Sequence, residues 1–301
     1  MVSDDLLEVA DEDPETLHAA YAAHGWGDGL PLVAPTPERV AAALACCAGE
    51  PDEVLAVLPP RSGAATRRVI AVNAVLAGCP PEVTPVVVAA VTALGRPEVN
   101  LRGVNATTHP VAPLVIVSGP LAARLGFNAG LGAFGPGNRA NATVGRAVRF
   151  VLMHCAGARP GDGDAATQGQ PAKYTYCVAE HTDASPWPAY HRSIGVDAEN
   201  AVTVHCGENP HNFHDMDSDH PARILDKAAS VMATFGVNNA PISMGEFFVG
   251  LCPEHASTAA AAGWSRADVA SYLFEAARRP AGEYRAQCGQ LAWAPWMHAV
   301  P

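Results

Sequence analysis

The run APLVIVSGP, residues 112–120, is short, almost wholly apolar and bounded by turn-forming residues. Such a run predicts a strand buried inside a sheet. KYTYCVAEH (173–181), AVTVHCG (201–207) and EFFVGLC (246–252) are rich in β-branched and aromatic residues and predict three more strands. Because these segments alternate with helical ones in the second half of the chain, we predict an α/β fold with a mixed sheet flanked by helices.

Helical patterns dominate the first half of the chain, and the clearest helices carry start signals. Thr36 precedes Pro37 at the first helical position, and Ser265 stands three residues before Asp268 in a variant of the capping box. The predicted helices are PETLHAAYAAHG, PTPERVAAALACC, RRVIAVNAVLAGC, PPEVTPVVVAAVTALG, residues 141–155, PARILDKAASVMATFG, PEHASTAAAAG and SRADVASYLFEAARR. We predict one compact domain over residues 1–301, with an acidic start that frays over 1–20 and a tail at 281–301 that packs on the body or on a partner.

Charge and composition exclude several classes of protein. The formal net charge is -11, so the chain lacks the basic face that a nucleic-acid binder needs, and it is not expected to adsorb to an acidic membrane. No apolar run approaches the roughly 20 residues that cross a bilayer, and the acidic N-terminus does not resemble a secretory signal. The eight cysteines form no C-x-x-C pair. Reduced thiols in a cytoplasmic protein are therefore predicted.

The glycine-rich stretch GAFGPGNRANATVGRAVRF, residues 132–150, leads into a predicted helix. A helix start attracts anions through its unpaired N–H groups, and a guanidinium matches an oxyanion. We therefore predict an anion site formed by Gly137, Arg139, Thr143 and Asn141, with Asn141 as the N-cap. The alternative is a tight turn whose arginine pairs with a surface acid. The stretch formally fits G-x-G-x-x-A, but the strand that a dinucleotide-binding fingerprint requires is missing before it.

The predicted helix at 141–155 also carries Arg146 and Arg149, three residues apart on one face. The sequence favours a solvated stripe for this pair, since exposed arginines on a helix face are common.

Histidine and aspartate are concentrated in VHCGENPHNFHDMDSDHPARILD, which begins at Val204. His211 and His214 have the spacing of metal ligands in a helix, which makes a metal site one hypothesis. An EF-hand is excluded, because His220 stands where the calcium loop needs glycine. The second hypothesis is acid–base chemistry by His214 oriented by Asp215 or Asp217. The third is a polar loop whose last residues cap the following helix.

Five other residues could bind or catalyse. Asp28 lies between glycines in GWGDGLP and is either a base or the first residue of an Asx turn. Asn105, Thr108 and His109 belong to the polar loop NATTHP, just before the first clear strand. Lys173 could pair with an anion, although a lone lysine is more often simply exposed.

Several long segments of the chain resemble a widespread group of bacterial proteins. They are GWGDGLPLVAPT, AVNAVLAGCPPE, NATTHPVAPLVIVSGP, FGPGNRANATVGRA, ATQGQPAKYTYCVAE and CPEHA with the later GWSRADV. The resemblance extends over residues 20–280. Members of the group are often encoded beside a small protein with a selenocysteine-or-cysteine, Gly, Ser, Cys motif, which implies a small protein partner.

The chain is also similar to the large subunit of the two-component aziridine synthase of actinomycete natural-product pathways. That resemblance implies a lyase of antibiotic biosynthesis that closes a three-membered ring by expelling sulfate from an amino-acid derivative. An amino-group carrier protein could hold this substrate. No cofactor is implied. Two alternatives stay open: a metal-dependent hydrolase using the 205–220 cluster, and a non-catalytic scaffold for a small thiol redox protein.

Ring closure with loss of sulfate needs an anion cradle, a base for the ammonium group and an enforced alignment of nitrogen with the C–O bond. Arg139 and the turn around it could supply the cradle. Asp28, His109 or His214 could supply the base.

Overall fold

The computed structural model describes residues 13–236 and 245–283, and its architecture confirms the α/β class with a mixed sheet. Most of the predicted fraying start and of the predicted C-terminal tail lies outside these residues. The chain divides into two compact units, one formed by residues 1–180 and 190–209 and the other by 181–189 and 210–301. The prediction of a single domain over 1–301 stays a prediction.

The first unit is rich in helices, as predicted. Its helices are α1 (Pro14–Ala23), α2 (Pro37–Ala45), α3 (Arg67–Ala77), α4 (Thr84–Leu94), α5 (Leu101–Ala106), α6 (Pro120–Arg124), α7 (Arg139–His154) and α8 (Tyr190–Ser193). Its strands are β1 (Val54–Leu58), β2 (Gly63–Thr66), β3 (Ala112–Ser118), β4 (Arg159–Pro160), β5 (Gly163–Asp164), β6 (Cys177–Ala179) and β7 (Ala201–Gly207). Among the described residues, no helix combines the length and the apolar character that crossing a membrane requires.

Strand β3 lies at the centre of a three-stranded sheet with the order β6–β3–β7. Strand β6 runs parallel to it and β7 antiparallel, with Ala112 opposite Gly207 and Ser118 opposite Ala201. The apolar run that predicted β3 is buried along almost its whole length, as its sequence requires. Because β7 is antiparallel, the residues that follow its end lie beside those that precede β3.

Helix α7 is the longest helix among the described residues and packs on α3, α4 and β6. Its close approach to the chain at 175–176 depends on Gly145. A Cβ atom at Gly145 would lie 2.4 Å from Thr175 Oγ1 and 2.4 Å from the Tyr176 amide nitrogen. Only a glycine lets the helix backbone reach this segment.

Helix starts follow the sequence signals except at α7. Thr36 accepts a hydrogen bond from the Arg39 amide, and Ser265 and Asp268 form the predicted capping box. The prediction of Asn141 as N-cap is wrong: Asn138 caps α7 and accepts from the Asn141 amide at 3.2 Å. The Asn141 side chain is buried and holds the preceding loop, through hydrogen bonds with both backbone groups of Asn128 and with the Ala133 carbonyl.

The second unit contains α9 (Pro221–Met232), α10 (Pro253–Ala261) and α11 (Arg266–Ala276), packed around Leu225, Ala259 and Leu273. The strand predicted at 246–252 is wrong, because residues 245–252 have no regular structure. Val249 and Leu251 instead pack against this helical core, so their apolar character reflects burial and not sheet pairing.

Two other segments differ from the predictions. Only Cys177–Ala179 of the predicted strand 173–181 is extended in the sheet, since Pro171–Lys173 forms a turn of 3-10 helix. Residues 54–66, where the sequence indicates no strand, form the antiparallel β1–β2 pair. These strands are short and have no clear alternation of apolar residues, so the sequence signal for them is weak.

Candidate functional site

His109 and Glu208 form a hydrogen-bonded pair at the edge where β3 begins and β7 ends. The distance from His109 Nδ1 to Glu208 Oε1 is 2.8 Å, and the two side chains are 35% and 25% exposed. The Thr107 hydroxyl accepts from the His109 amide at 3.2 Å, and the Tyr176 hydroxyl donates to the Glu208 carbonyl at 3.4 Å. The antiparallel β3–β7 pairing explains the meeting of two residues that are 99 positions apart.

A carboxylate on Nδ1 fixes the orientation of an imidazole and keeps a proton on that nitrogen. The other nitrogen, Nε2, is then an acceptor, and it makes no hydrogen bond to any residue in the described part of the chain. A partly exposed histidine in this state can take a proton from a bound molecule, and the carboxylate stabilises the imidazolium that forms. The pair therefore has the arrangement of a general base.

A second group of charges lies in the same unit, where Asp164 accepts from two cations. Arg149 Nη2 donates to Asp164 Oδ2 at 2.8 Å, and Lys173 Nζ lies 2.8 and 3.0 Å from the two carboxylate oxygens. The Ala166 amide donates to Oδ1 at 3.1 Å. The side chains of Asp164, Arg149 and Lys173 are only 3%, 10% and 12% exposed.

Burial and charge compete in this group. Burial alone would raise the pKa of Asp164, but the hydrogen bonds from Lys173 and the Ala166 amide, with the charges of Lys173 and Arg149, hold that pKa below its usual value. Burial lowers the pKa of Lys173; Asp164 opposes this shift, and the charge of Arg149 adds to it. The interpretation of Arg149 as part of a solvated stripe is wrong, because it is buried against a carboxylate.

A small cavity adjoins this group. Asn105, Pro113, Gly145, Arg149 and Lys173 are among its lining residues, and its volume of about 10 Å³ is that of one water molecule. Asn105 and Lys173 are separate candidates in the sequence, and the fold brings them to one cavity. The amide of Asn105 is also structural, since its nitrogen donates to the Pro59 carbonyl at 3.0 Å. The backbone carbonyl of Thr108 has a structural role, since it accepts hydrogen bonds from the amide and the hydroxyl of Thr167.

Arg139 lies at the exposed first turn of α7 and donates through Nε and Nη2 to the Gly78 carbonyl, at 3.0 and 2.9 Å. Gly78 ends α3 in the left-handed conformation, with φ 87°. Arg139 makes no ion pair with any described residue, so the alternative of pairing with a surface acid is wrong within that part of the chain. The Thr143 hydroxyl donates to the Arg139 carbonyl at 2.8 Å, and Gly137 shapes the preceding turn with φ 102°.

Asp28 is held by Arg146. Both carboxylate oxygens accept from the guanidinium at 2.7 Å, and the two side chains are largely buried. Oδ1 also accepts from the Leu30 amide at 3.1 Å, which is the Asx turn weighed as the alternative. Arg146 further donates to the Leu30 and Pro31 carbonyls. Asp28 therefore anchors its loop to α7, and the solvated-stripe interpretation of Arg146 is wrong as well.

The histidine and aspartate cluster lies in the second unit from residue 210 onward. Asp215 is paired with Lys227 and accepts from the Ser218 amide at 3.0 Å, and the hydrogen bond from Lys227 is the first cause that holds the pKa of Asp215 well below its usual value. His214 is exposed. His220 caps α9 by accepting a hydrogen bond from the Ala222 amide, as predicted by the hypothesis of a polar loop whose last residues cap the helix.

No group of three or more His, Cys, Asp or Glu side chains that could hold a metal ion occurs within residues 13–236 and 245–283. The hydrolase alternative stays a hypothesis without a described set of ligands.

Four of the candidate residues predicted from the sequence thus lie in one region of the first unit, near the start of β3. They are Asn105, Thr108, His109 and Lys173. Sequence reasoning missed their partners Glu208, Arg149, Asp164 and Tyr176. The only signal for Glu208 was its place directly after a predicted strand, which became informative once the strand pairing was known. The chain matches no protein-family model, no curated protein sequence and no solved structure.

Proposed function

We propose that this chain is the large, catalytic subunit of a heteromeric bacterial enzyme of polar elimination or internal substitution. The specific reaction proposed is aziridine ring formation with loss of sulfate from an amino-acid derivative, in the cytoplasm and without a redox cofactor. The observation that carries the proposal is the His109–Glu208 pair, in which a partly exposed imidazole is oriented by a carboxylate at 2.8 Å.

His109 serves as the base in this reaction. Its Nε2 takes a proton from the substrate ammonium group, and the nitrogen lone pair attacks the neighbouring carbon that carries the sulfate ester. The C–O bond breaks, and its electron pair leaves with sulfate. Glu208 holds the imidazole in place and stabilises its protonated form.

The two carboxylates among the catalytic candidates, Asp28 and Asp215, are already held by cations. Asp28 is held through both oxygens by Arg146, and Asp215 is paired with Lys227. The oxygens of both carboxylates are therefore occupied by hydrogen bonds within the chain and are not free to contact a substrate ammonium group. His214 keeps an exposed ring and is therefore the competitor that an experiment must separate from His109.

Departing sulfate is assigned to the start of α7. Arg139 carries a positive charge that no described acid compensates, and it stands in the first turn of a 16-residue helix whose dipole favours an anion. Phe134, in the loop before α7, packs on Tyr176 with ring centroids 6.0 Å apart. Tyr176 in turn contacts the Glu208 carbonyl, so a chain of contacts links this loop to the proposed base.

The small protein subunit and the amino-group carrier are proposed on the resemblance stated above. The small subunit belongs to the test, since the large subunit is to be assayed as the complex that co-purifies with its small partner. Copurification without any reaction would favour the scaffold alternative.

The decisive substitution is His109→Asn, with His214→Asn as the matched control. The assay measures inorganic sulfate released by the complex from a vicinal amino sulfate ester, using ion chromatography. His109→Asn is expected to lower the rate by about 10²-fold or more, because general-base catalysis is lost, whereas His214→Asn stays within about twofold of the wild type. Full activity in His109→Asn would overturn the assignment, and loss in His214→Asn alone would transfer the role to the second unit.

A further inference from the structure

We propose that Arg149, Lys173 and Asp164 form a binding site for one small monovalent anion of halide size. The site is separate from the proposed leaving-group site at Arg139, in the first turn of α7, and it does not depend on the proposed reaction.

The first reason is an imbalance of charge. Two cations share one carboxylate, which leaves one surplus positive charge among side chains that are at least 88% buried. The charges of Asp164 and Arg149 act on the pKa of Lys173 in opposite directions. A buried charge without a counter-charge is unfavourable, because burial removes its hydration. The cluster can be neutralised in two ways: Lys173 loses its proton, or an anion binds.

The second reason is that hydrogen-bond donors remain. Lys173 has three N–H donors and makes contact with the two oxygens of Asp164, and Arg149 uses Nη2 alone. The remaining guanidinium donors of Arg149 make no hydrogen bond to a residue that the structure describes. Both side chains line the same cavity, and Asn105 lines it with them.

The third reason is the size and lining of the cavity. A volume of about 10 Å³ has room for a single water or one monatomic ion. Val111, Val148 and Leu152 are among the other lining residues. These apolar walls cannot hydrate an ion, so they favour a weakly hydrated anion such as bromide or chloride over water beside a cation.

The test uses the fact that Lys173 and Lys227 are the two lysines of the chain. Protein labelled with ¹³Cε-lysine should show one resonance for each. Sodium bromide replaces sodium gluconate at constant ionic strength, so that only the identity of the anion changes. We expect the Lys173 resonance to move along a saturable curve, while Lys227, paired with Asp215, serves as the internal control.

Arg149→Met is the matched variant, since it leaves Lys173 and Asp164 as a neutral pair, and it should abolish the saturable shift. Asp164→Asn increases the surplus charge and should strengthen bromide binding. Equal, non-saturating shifts of both lysines would overturn the proposal, as would a Lys173 resonance that already reports the neutral amine and ignores bromide. The wild-type titration alone decides the question if a variant fails to fold, and neither result bears on the sulfate-release activity.

Discussion

His154 shows how one residue type takes different roles in the first unit. Unlike His109, it lies near the end of α7, where Nδ1 is 2.5 Å from Asn73 Oδ1 and the ring stacks on Phe150 at 5.5 Å. Burial, aided by the charge of Arg159, lowers the pKa of His154 to about 4 from its usual 6.5. This histidine is therefore neutral in the folded protein, and we assign it a structural role.

The pKa of His154 predicts an acid-sensitive stability. Above pH 6.5 neither state binds the proton. As pH falls from 6.5 to 4, His154 binds a proton in the unfolded chain but not in the folded chain. The free energy of unfolding therefore decreases, by at most about 3 kcal/mol from this group. Urea unfolding at a series of pH values measures the decrease. His154→Gln should flatten this part of the curve, whereas the exposed His214→Gln should leave it as in the wild type; identical slopes in all three proteins would contradict the prediction.

Local residue roles were predictable and partners were not. The Asx turn at Asp28 and the caps at Thr36 and Ser265 follow from a few neighbouring residues. The partner of Asp28 is Arg146, 118 positions away, and that of His109 is 99 positions away. Because such pairs are made by strand pairing and helix packing, the sequence presents their members as separate candidates.

At the scale of elements, α7 organises both proposed sites. Its first turn carries Arg139, and its buried face carries Arg149 to Asp164. Gly145 lets the same helix approach Thr175 and Tyr176, which lie two and three residues after Lys173, the end of the preceding turn. The position of Lys173 relative to Arg149 thus depends on one close contact between backbones.

Gly145→Ala tests this dependence. Alanine normally stabilises a helix interior relative to glycine, by up to about 1 kcal/mol. Here the added methyl group would lie 2.4 Å from Thr175 Oγ1, so we expect a loss of about 1–3 kcal/mol in unfolding free energy from overpacking.

Gly130→Ala is the control for that measurement, because its Cβ atom would meet only Asn128 Oδ1, at an ordinary 3.7 Å. Urea denaturation compares the two variants with the wild type. Stabilisation by Gly145→Ala would show that the helix does not press on the 175–176 segment.

Most helices and strands were predicted from the sequence, and the errors fall where a segment is buried without pairing in a sheet. β3 and β7 formed as predicted, because a short apolar or β-branched run between turns has few alternatives. Residues 246–252 have the composition of a strand, yet Val249 and Leu251 are covered by helices. Composition reports that a segment is buried, whereas the partner that buries it is decided by the rest of the fold.

At the scale of the whole molecule, both proposed anion sites belong to a strongly acidic chain of net charge -11, with 30 acidic and 19 basic residues. Binding of an anion must therefore come from local charge. Arg139 has no described acid paired with it, and Arg149 with Lys173 outnumbers Asp164. The net charge itself opposes binding of nucleic acid and of acidic membranes, as the sequence predicts.

The central claim is that the His109–Glu208 pair drives an amine to displace sulfate within one molecule. Mass spectrometry of the product formed in ¹⁸O-labelled water tests it most directly, with the complex acting on a vicinal amino sulfate ester and on its N-acetyl derivative. We expect one unlabelled aziridine for each sulfate released from the free amine, and no release from the N-acetyl ester, which has no basic nitrogen to attack. An alcohol formed from both esters in place of the aziridine would contradict the account and identify a hydrolase, with ¹⁸O in the alcohol if water breaks the C–O bond and in the sulfate if it breaks the S–O bond.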